Sequence, residues 1–224
     1  MRIAMLGTRG VPAHYGGFET AVEEIGRRLV TRGHEVTVYC RGGGRSAART
    51  HLGMTLVQLP SVKGRAVETL SHTALSSLHL LTHRHFDVAL VFNAANAPFL
   101  PMLRASHTPV AVHVDGLEWQ RAKWGLVGRR YYRWAESYAV RWSDALIADA
   151  LGIVDYYERE FGAATELLSY GAPIQAEPRA DRLAELGVRA HGFHLVVARF
   201  EKENHVEEIV DGYRCSRASP SPRR

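Results

Sequence analysis

Apolar residues recur along this chain in two alternating rhythms. Short unbroken runs at residues 2–6, 36–40, 55–59, 87–92, 109–114, 145–148 and 166–170 read as strands of a sheet buried on both faces. Between them lie stretches of helical period. In the first, Phe18, Ala21, Val22, Ile25, Leu29 and Val30 share one face, Glu23, Glu24, Arg27 and Arg28 lie opposite, and Gly33 ends the helix. Further helices are predicted over residues 66–83, 97–106, 129–142 and 153–161. Such β-α alternation predicts a Rossmann-like, doubly wound parallel sheet of the α/β class.

The rhythm stops near Gly171-Ala172-Pro173. Residues 1–172 therefore read as one lobe and 173–192 as a connector with a single short helix near 180–186. Residues 193–198, Phe193-His194-Leu195-Val196-Val197-Ala198, form another buried-strand run, and 205–213 a helix. Residues 193–213 are thus expected to be the first strand and helix of a second α/β lobe. Alone, a strand and a helix bury too little apolar surface to stand as a domain. From Arg214 to Arg224 the chain becomes Arg/Ser/Pro-rich with no apolar period, which predicts a disordered tail. The switch at Arg214 has the look of a truncated or frameshifted reading frame.

Composition narrows the class. In 224 residues, 46% are hydrophobic and 23% charged, which argues against a disordered, collagenous or disulfide-scaffold chain. Two cysteines, Cys40 and Cys215, fit a reducing compartment and offer no metal-ligand spacing. No run approaches the roughly 18 apolar residues of a membrane span, and the start lacks the pattern of a signal peptide. The net charge of +5 invites a nucleic-acid reading. Four arginines of the tail (Arg214, Arg217, Arg223, Arg224) supply most of it, and without them the balance falls to +1. No nucleic-acid partner is expected.

Three stretches could carry chemistry. The loop of residues 7–17 holds Gly7, Gly10, Gly16 and Gly17, the last two directly before a helix. Glycines there let an anion such as phosphate approach backbone N–H groups. A plain turn is the simpler account of a lone Gly-Gly, but this pair sits on a strand-to-helix crossover, the ligand edge of such sheets. The glycines match neither the dinucleotide fingerprint nor a P-loop. The second stretch, His113-Val114-Asp115-Gly116-Leu117-Glu118-Trp119-Gln120-Arg121-Ala122-Lys123-Trp124, follows a predicted strand. Its carboxylates and imidazole suit proton exchange or sugar hydroxyls, and indoles cover apolar sugar faces. A salt-bridged loop with tryptophans plugging the core is the competing account. The third, Arg199-Phe200-Glu201-Lys202-Glu203-Asn204-His205, could aim an arginine at a phosphate, yet by itself reads as a solvated charged loop. His79, His83 and His85 lack supporting cysteine or acidic ligands, so no metal site is expected. The aromatic stripe Trp124, Val127, Tyr131, Trp134, Tyr138, Trp142 fits core packing or, alternatively, a membrane-surface helix.

Taken together, these residues resemble the amino-terminal half of a GT-B glycosyltransferase of family 4. The nearest likeness is to a bacterial rhamnosyltransferase-like branch that begins with a domain of unknown function. The segments that carry it are Gly7-Thr8-Arg9-Gly10-Val11-Pro12, Tyr15-Gly16-Gly17-Phe18-Glu19-Thr20, Arg32-Gly33-His34-Glu35-Val36-Thr37-Val38-Tyr39-Cys40-Arg41, Val114-Asp115-Gly116-Leu117-Glu118-Trp119, Ser169-Tyr170-Gly171-Ala172 and Arg199 to His205. The resemblance implies an acceptor-side lobe here and a nucleotide-sugar lobe beyond it. It implies donor-diphosphate contacts at Gly16, Gly17 and Arg199, and catalytic contacts at Asp115, with His113 and Glu118. Tyr15, Trp119, Arg121 and Lys123 would hold acceptor or sugar. Transfer would be retaining and free of metal and cofactor, and no Asp-x-Asp motif occurs. The implied partners are a nucleotide-sugar donor and a glycan or lipid-linked acceptor, in the cytoplasm or at the inner membrane face. The lysine that relatives place five residues after the arginine is Asn204 here. The second reading is a non-catalytic acceptor-binding lobe that works with a separate donor lobe.

Overall fold

The computed structural model describes residues 1–14, 16–42, 49–64, 67–83, 85–114, 116–172, 174, 181–198 and 200–218. They fall into two compact units, Met1–Gln120 with Trp124–Tyr170, and Arg121–Lys123 with Gly171–Arg224.

The first unit is built on one eight-stranded sheet. Its strands are β1 (Arg2–Leu6), β2 (Glu35–Arg41), β3 (Thr50–His51), β4 (Met54–Leu59), β5 (Val88–Phe92), β6 (Val110–Val114), β7 (Ala145–Ala148) and β8 (Glu166–Leu167). The order is β3-β4-β2-β1-β5-β6-β7-β8, and every ladder is parallel except β3 on β4. From β1 the chain winds outward one way to β2 and β4, then returns to β5 and winds the other way. The direction therefore reverses between β1 and β5, which opens a crevice at their carboxyl ends. The expected doubly wound sheet is the observed one.

Alternation along each strand divides the core. Ile3, Met5, Val36, Val38 and Cys40 meet Val22 and Met54 on one face. Ala4, Leu6, Tyr39, Ala89 and Val91 meet Leu80, Leu100, Leu103 and Ala139 on the other. The covering helices are α1 (Gly17–Thr31), α2 (Val67–His83), α3 (Leu100–Ala105), α4 (Leu126–Trp142) and α5 (Leu151–Phe161). In α1 the buried positions are Ala21, Val22 and Gly26, while Ile25, expected in the apolar face, is 39% exposed. A Cβ at Gly26 would lie 2.3 Å from Met54 Sδ, so the helix turns its glycine to the sheet and approaches closely.

Three further differences have local causes. β3 was not foreseen because its turn is Leu52-Gly53, with φ 48° and 80°, rather than an Asn-Gly signal. The helix expected over residues 97–106 opens as a 3₁₀ turn, Ala94–Phe99, that carries Pro98 before α3 begins. α2 is inside out: it buries His72, Thr73, Ser76, Ser77 and Leu80, and leaves Leu75, Leu78 and Leu81 exposed.

In the second unit α6 (Asp181–Glu185) and α7 (Val206–Ala218) form, with a 3₁₀ turn at Lys202–Asn204. The strand expected over 193–198 does not. Those residues have no ladder, and Leu195 and Val197 stand open to solvent, because a parallel strand exists only beside a hydrogen-bonding neighbour. α7 also runs past Tyr213, where the tail was expected. Arg214 lies 3.9 Å from Asp211, one turn back, and Ser216 donates to the Tyr213 carbonyl at 2.8 Å. Residues 219–224 lie outside the described ones. No helix among the described residues is long and apolar enough to cross a membrane.

Candidate functional site

At the crevice, β1 ends in a glycine loop held from below. Gly7 takes φ +99°, and a Cβ there would come within 2.3 Å of the Phe92 carbonyl oxygen at the end of β5. Asn96, fully buried, closes this junction. Its Nδ2 donates to the carbonyls of Gly7 at 3.2 Å and Phe92 at 2.8 Å. Sequence reasoning missed Asn96, although a polar residue inside the apolar Ala94–Phe99 stretch was the available signal. Asn96→Ala is expected to lower stability by about 2 kcal/mol, since two buried carbonyls lose their donor. Urea unfolding monitored by circular dichroism measures it.

Beyond the loop, α1 starts without a side-chain cap. Gly16 takes φ 115°; a Cβ on Gly17 would meet nothing within 4 Å, whereas one on Gly16 would lie 2.1 Å from Glu19 Oε2, so a carboxylate already stands at the helix start. Two carboxylates of α1 hold the loop: Glu19 Oε1 accepts the Arg9 N–H at 3.1 Å and Glu23 Oε2 the Ala13 N–H at 2.7 Å. The second residue of α1 reaches the other half of the site, because the Phe18 ring sits edge-on to His113 with centroids 5.5 Å apart.

His113, on β6, is the most informative side chain of the crevice. Its ring stacks on Phe92 at 5.7 Å and on Tyr170 at 5.5 Å. It is 7% exposed, and neither ring nitrogen has a hydrogen-bonding partner in the structure. Burial lowers its pKa; the Asp149 carboxylate and the residue's own backbone act the other way. The aromatic box therefore holds a neutral imidazole, with one N–H donor and one acceptor to offer. Buried polar atoms are nearly always paired in folded proteins, so the two nitrogens have room in their hydrogen-bonding capacity for a water or another polar group.

The stretch after β6 is more structural. Glu118–Gln120 is a 3₁₀ turn in which Glu118 Oε2 accepts the Trp124 indole N–H at 3.2 Å. Trp119 gives its N–H to the Tyr156 hydroxyl at 3.1 Å, and Arg133 lies over its ring at 5.2 Å. That hydroxyl also accepts from Arg133 and donates to the buried Glu136 at 2.7 Å. Trp119 thus plugs a polar knot between the loop, α4 and α5. Arg121, half-buried, and Lys123, exposed, fall in the second unit. Tyr15, Asp115 and Arg199 lie outside the described residues. Of the expected site residues, the structure brings Gly16, Gly17 and His113 to one edge of the first unit.

Along α4, Tyr131 donates to the Ala95 carbonyl at 2.8 Å and Tyr132 is buried, while Leu126 and Val127 point to solvent. His79 and His83 stack on each other at 4.4 Å. Among the described residues no three histidines, cysteines or carboxylates gather as metal ligands.

Solved proteins share the fold of this chain. The chain superposes on sucrose-phosphate synthase from Thermosynechococcus elongatus with a TM-score of 0.67 at 15% identity, covering 95% of this chain and 68% of that one. HepE of Anabaena, solved with UDP and glucose, gives 0.58 at 14% identity over 83% and 49%. UGT89C1 of Arabidopsis thaliana, solved with UDP, gives 0.54 at 13% identity over 83% and 54%. The chain thus spans about half to two thirds of these proteins, and the shared feature is the fold, a Rossmann-like lobe of the GT-B kind. No curated protein sequence matches it. Residues 16–171, well over half the chain and including Gly16, Gly17, β6 and Tyr170, match the glycosyl transferase 4-like domain. The chain belongs to the glycosyl transferase 4-like family and is a glycosyltransferase by descent.

Proposed function

We propose that the chain provides the acceptor-side lobe of a retaining transferase that moves a sugar, rhamnose in our reading, from a nucleotide donor to a cell-envelope or exopolysaccharide acceptor. The observation that carries the reading is His113, a buried neutral imidazole with two unpaired nitrogens at the carboxyl end of β6, against Phe18 in the first turn of α1. The rhamnosyltransferase-like segments quoted above add the sugar, and neighbours solved with UDP support a nucleotide sugar. In this reading Gly16, Gly17 and Arg199 hold the diphosphate, and leaving-group charge is stabilised from the donor side. Asp115 and His113 contact the transferred sugar. Neither metal nor cofactor takes part, and the work is done in the cytoplasm or at the inner membrane face. Residues 1–172 form the acceptor lobe, 173–192 the connector and 193–213 the opening of the donor lobe.

A second reading is favoured by the exposed apolar run of the second unit, where Leu195, Val197 and Phe200 face solvent. There the chain binds acceptor and is completed by a separately supplied donor lobe. In both readings turnover of donor needs a donor lobe in addition to residues 1–172.

The test is sugar contact measured by saturation-transfer NMR with UDP-, GDP- and dTDP-linked sugars. His113→Phe fills the aromatic box with apolar atoms, so it is expected to keep or raise the melting temperature while abolishing sugar saturation. Equal saturation in the variant, or none in the wild type with any donor, would overturn the role of His113. Robust turnover by the chain alone would overturn the need for a donor lobe.

A further inference from the structure

The outer side of α4 carries a pattern that sugar transfer does not use. Of the aromatic residues along this helix, Tyr138 and Trp142 pack against the core and Tyr131 is tied to Ala95, whereas Trp134 turns outward, 46% exposed. At 3.6 residues per turn it lines up with Leu126, Val127, Arg130, Ser137 and Arg141, all of them exposed. These six positions lie opposite the buried Tyr132, Ala135, Glu136 and Ala139. Leu126 and Val127 are 76% and 84% exposed, more than any other aliphatic side chain among the described residues of the first unit.

The charge on this stripe is of one sign. Arg130 and Arg141 stand on either side of Trp134 along the helix, and neither has a carboxylate partner among the described residues; Arg141 lies 5.7 Å from the centroid of the Trp142 ring. The single carboxylate of the helix, Glu136, is buried on the other side. Arg133 is likewise withdrawn, since it pairs with Glu160 at 3.2 Å. Ser137 gives its hydroxyl to the Trp134 carbonyl at 2.7 Å and so asks little of water. What remains outside is aliphatic surface at one end, an indole in the middle and two guanidinium groups on hydrocarbon stems. Such stems cover apolar surface while their charged heads reach outward. Indole, aliphatic and guanidinium groups on one helix face suit the headgroup layer of an anionic bilayer. A second copy fits poorly, because two-fold pairing of the stripe with itself would set guanidinium against guanidinium. β6 and β7 are parallel, so the connecting α4 runs back along the sheet, and its Leu126 end lies at the carboxyl edge that holds His113.

We propose that the outer stripe of α4 docks on an anionic lipid bilayer, with Leu126, Val127 and Trp134 entering the headgroup layer and Arg130 and Arg141 meeting lipid phosphates. The docking stands on the stripe alone. That it holds the His113 edge at the membrane for sugar transfer is the one clause that rests on the transferase reading.

The experiment is co-sedimentation of the full chain with vesicles of phosphatidylglycerol and phosphatidylcholine in equal parts, against phosphatidylcholine alone. Binding to the mixed vesicles is expected to be about tenfold tighter or more at low salt, and to fall as salt rises. Val127→Asp is expected to weaken it about tenfold at an unchanged melting temperature, since that side chain is 84% exposed. The double variant Arg130→Gln with Arg141→Gln is expected to lose about thirtyfold, at roughly fivefold for each cation. Equal binding to both kinds of vesicle, or binding to neither, overturns the proposal. So does unchanged binding by Val127→Asp, which would assign the vesicles to the arginines that follow Tyr213. A wild-type dimer that Val127→Asp converts to a monomer also overturns it, because the stripe then serves a second copy. Vesicle binding without sugar saturation would sink the transferase reading and leave the docking standing. Saturation without vesicle binding would do the reverse.

Discussion

Gly7→Ala is expected to lower stability by about 3–5 kcal/mol. Two costs add. The residue sits at φ +99°, a region that an L side chain enters only with strain. The new Cβ would also lie 2.3 Å from the Phe92 carbonyl oxygen and 2.9 Å from Asn96 Nδ2. The first of those atoms is backbone in a central strand and cannot step aside, so the β1–β5 junction must open. Opening it breaks the two hydrogen bonds of Asn96, and the glycine loop loses its floor. Chemical unfolding gives the size of the loss. A second readout tests the coupling: the box of Phe18, Phe92 and Tyr170 around His113 includes a residue that must move, so aromatic-ring NMR shifts of Phe92 and His113 are expected to change together. A loss below about 1 kcal/mol would mean that the junction is soft and the loop is not held by it.

The sheet was legible because its signal is strong: strands buried on both faces read as unbroken apolar runs, and seven of them lie where the runs are. What failed to show was whatever depends on a partner. Residues 193–198 are as apolar as β5, yet no ladder forms among the described residues of the second unit, since hydrophobicity nominates a strand and only a neighbour makes one. α2 forms where its helical period lay, but its burial does not follow hydrophobicity: His72, Thr73, Ser76 and Ser77 face inward with Leu80, while Leu75, Leu78 and Leu81 stay outside. Of the site, the glycine loop and His113 could be picked out by position after a strand, and both lie at the crevice. Trp119 could be read as sugar platform or core plug, and its N–H is committed to Tyr156. The knot that claims it spans residues from 119 to 156, too far apart in sequence for spacing to reveal.

That knot carries the second large effect. Tyr156→Phe is expected to cost about 3 kcal/mol near neutral pH and about 1 kcal/mol in mild acid. The phenol hydroxyl accepts from Trp119 and Arg133 and donates to Glu136, so its loss strands the Trp119 N–H and the buried Glu136 carboxylate, while Arg133 keeps Glu160 at 3.2 Å. Glu136 sets the pH dependence. It is 3% exposed, and burial raises its pKa, against the lowering effects of the Tyr156 hydrogen bond and the Arg133 charge. A carboxyl whose folded pKa lies above its unfolded one holds its proton longer in the folded state. Its contribution is therefore neutral below about pH 4, where both states are protonated, and becomes a cost as pH rises towards the folded value. Deleting the hydroxyl removes one of the influences that lower that pKa, which raises it further and extends the cost to higher pH. The difference between wild type and variant should accordingly widen as pH rises past the folded pKa of Glu136 in the wild type towards the higher one in the variant. Taking the difference cancels the acid loss expected from Asp87 and Asp144, whose pKa values are lowered by the backbone N–H groups of Arg2 and Val110 and which stabilise the fold only while ionised. Urea midpoints of both proteins across that range decide it. A deficit that stays constant with pH would mean that Glu136 finds another donor when Tyr156 loses its own, and that the knot is held by Arg133 alone.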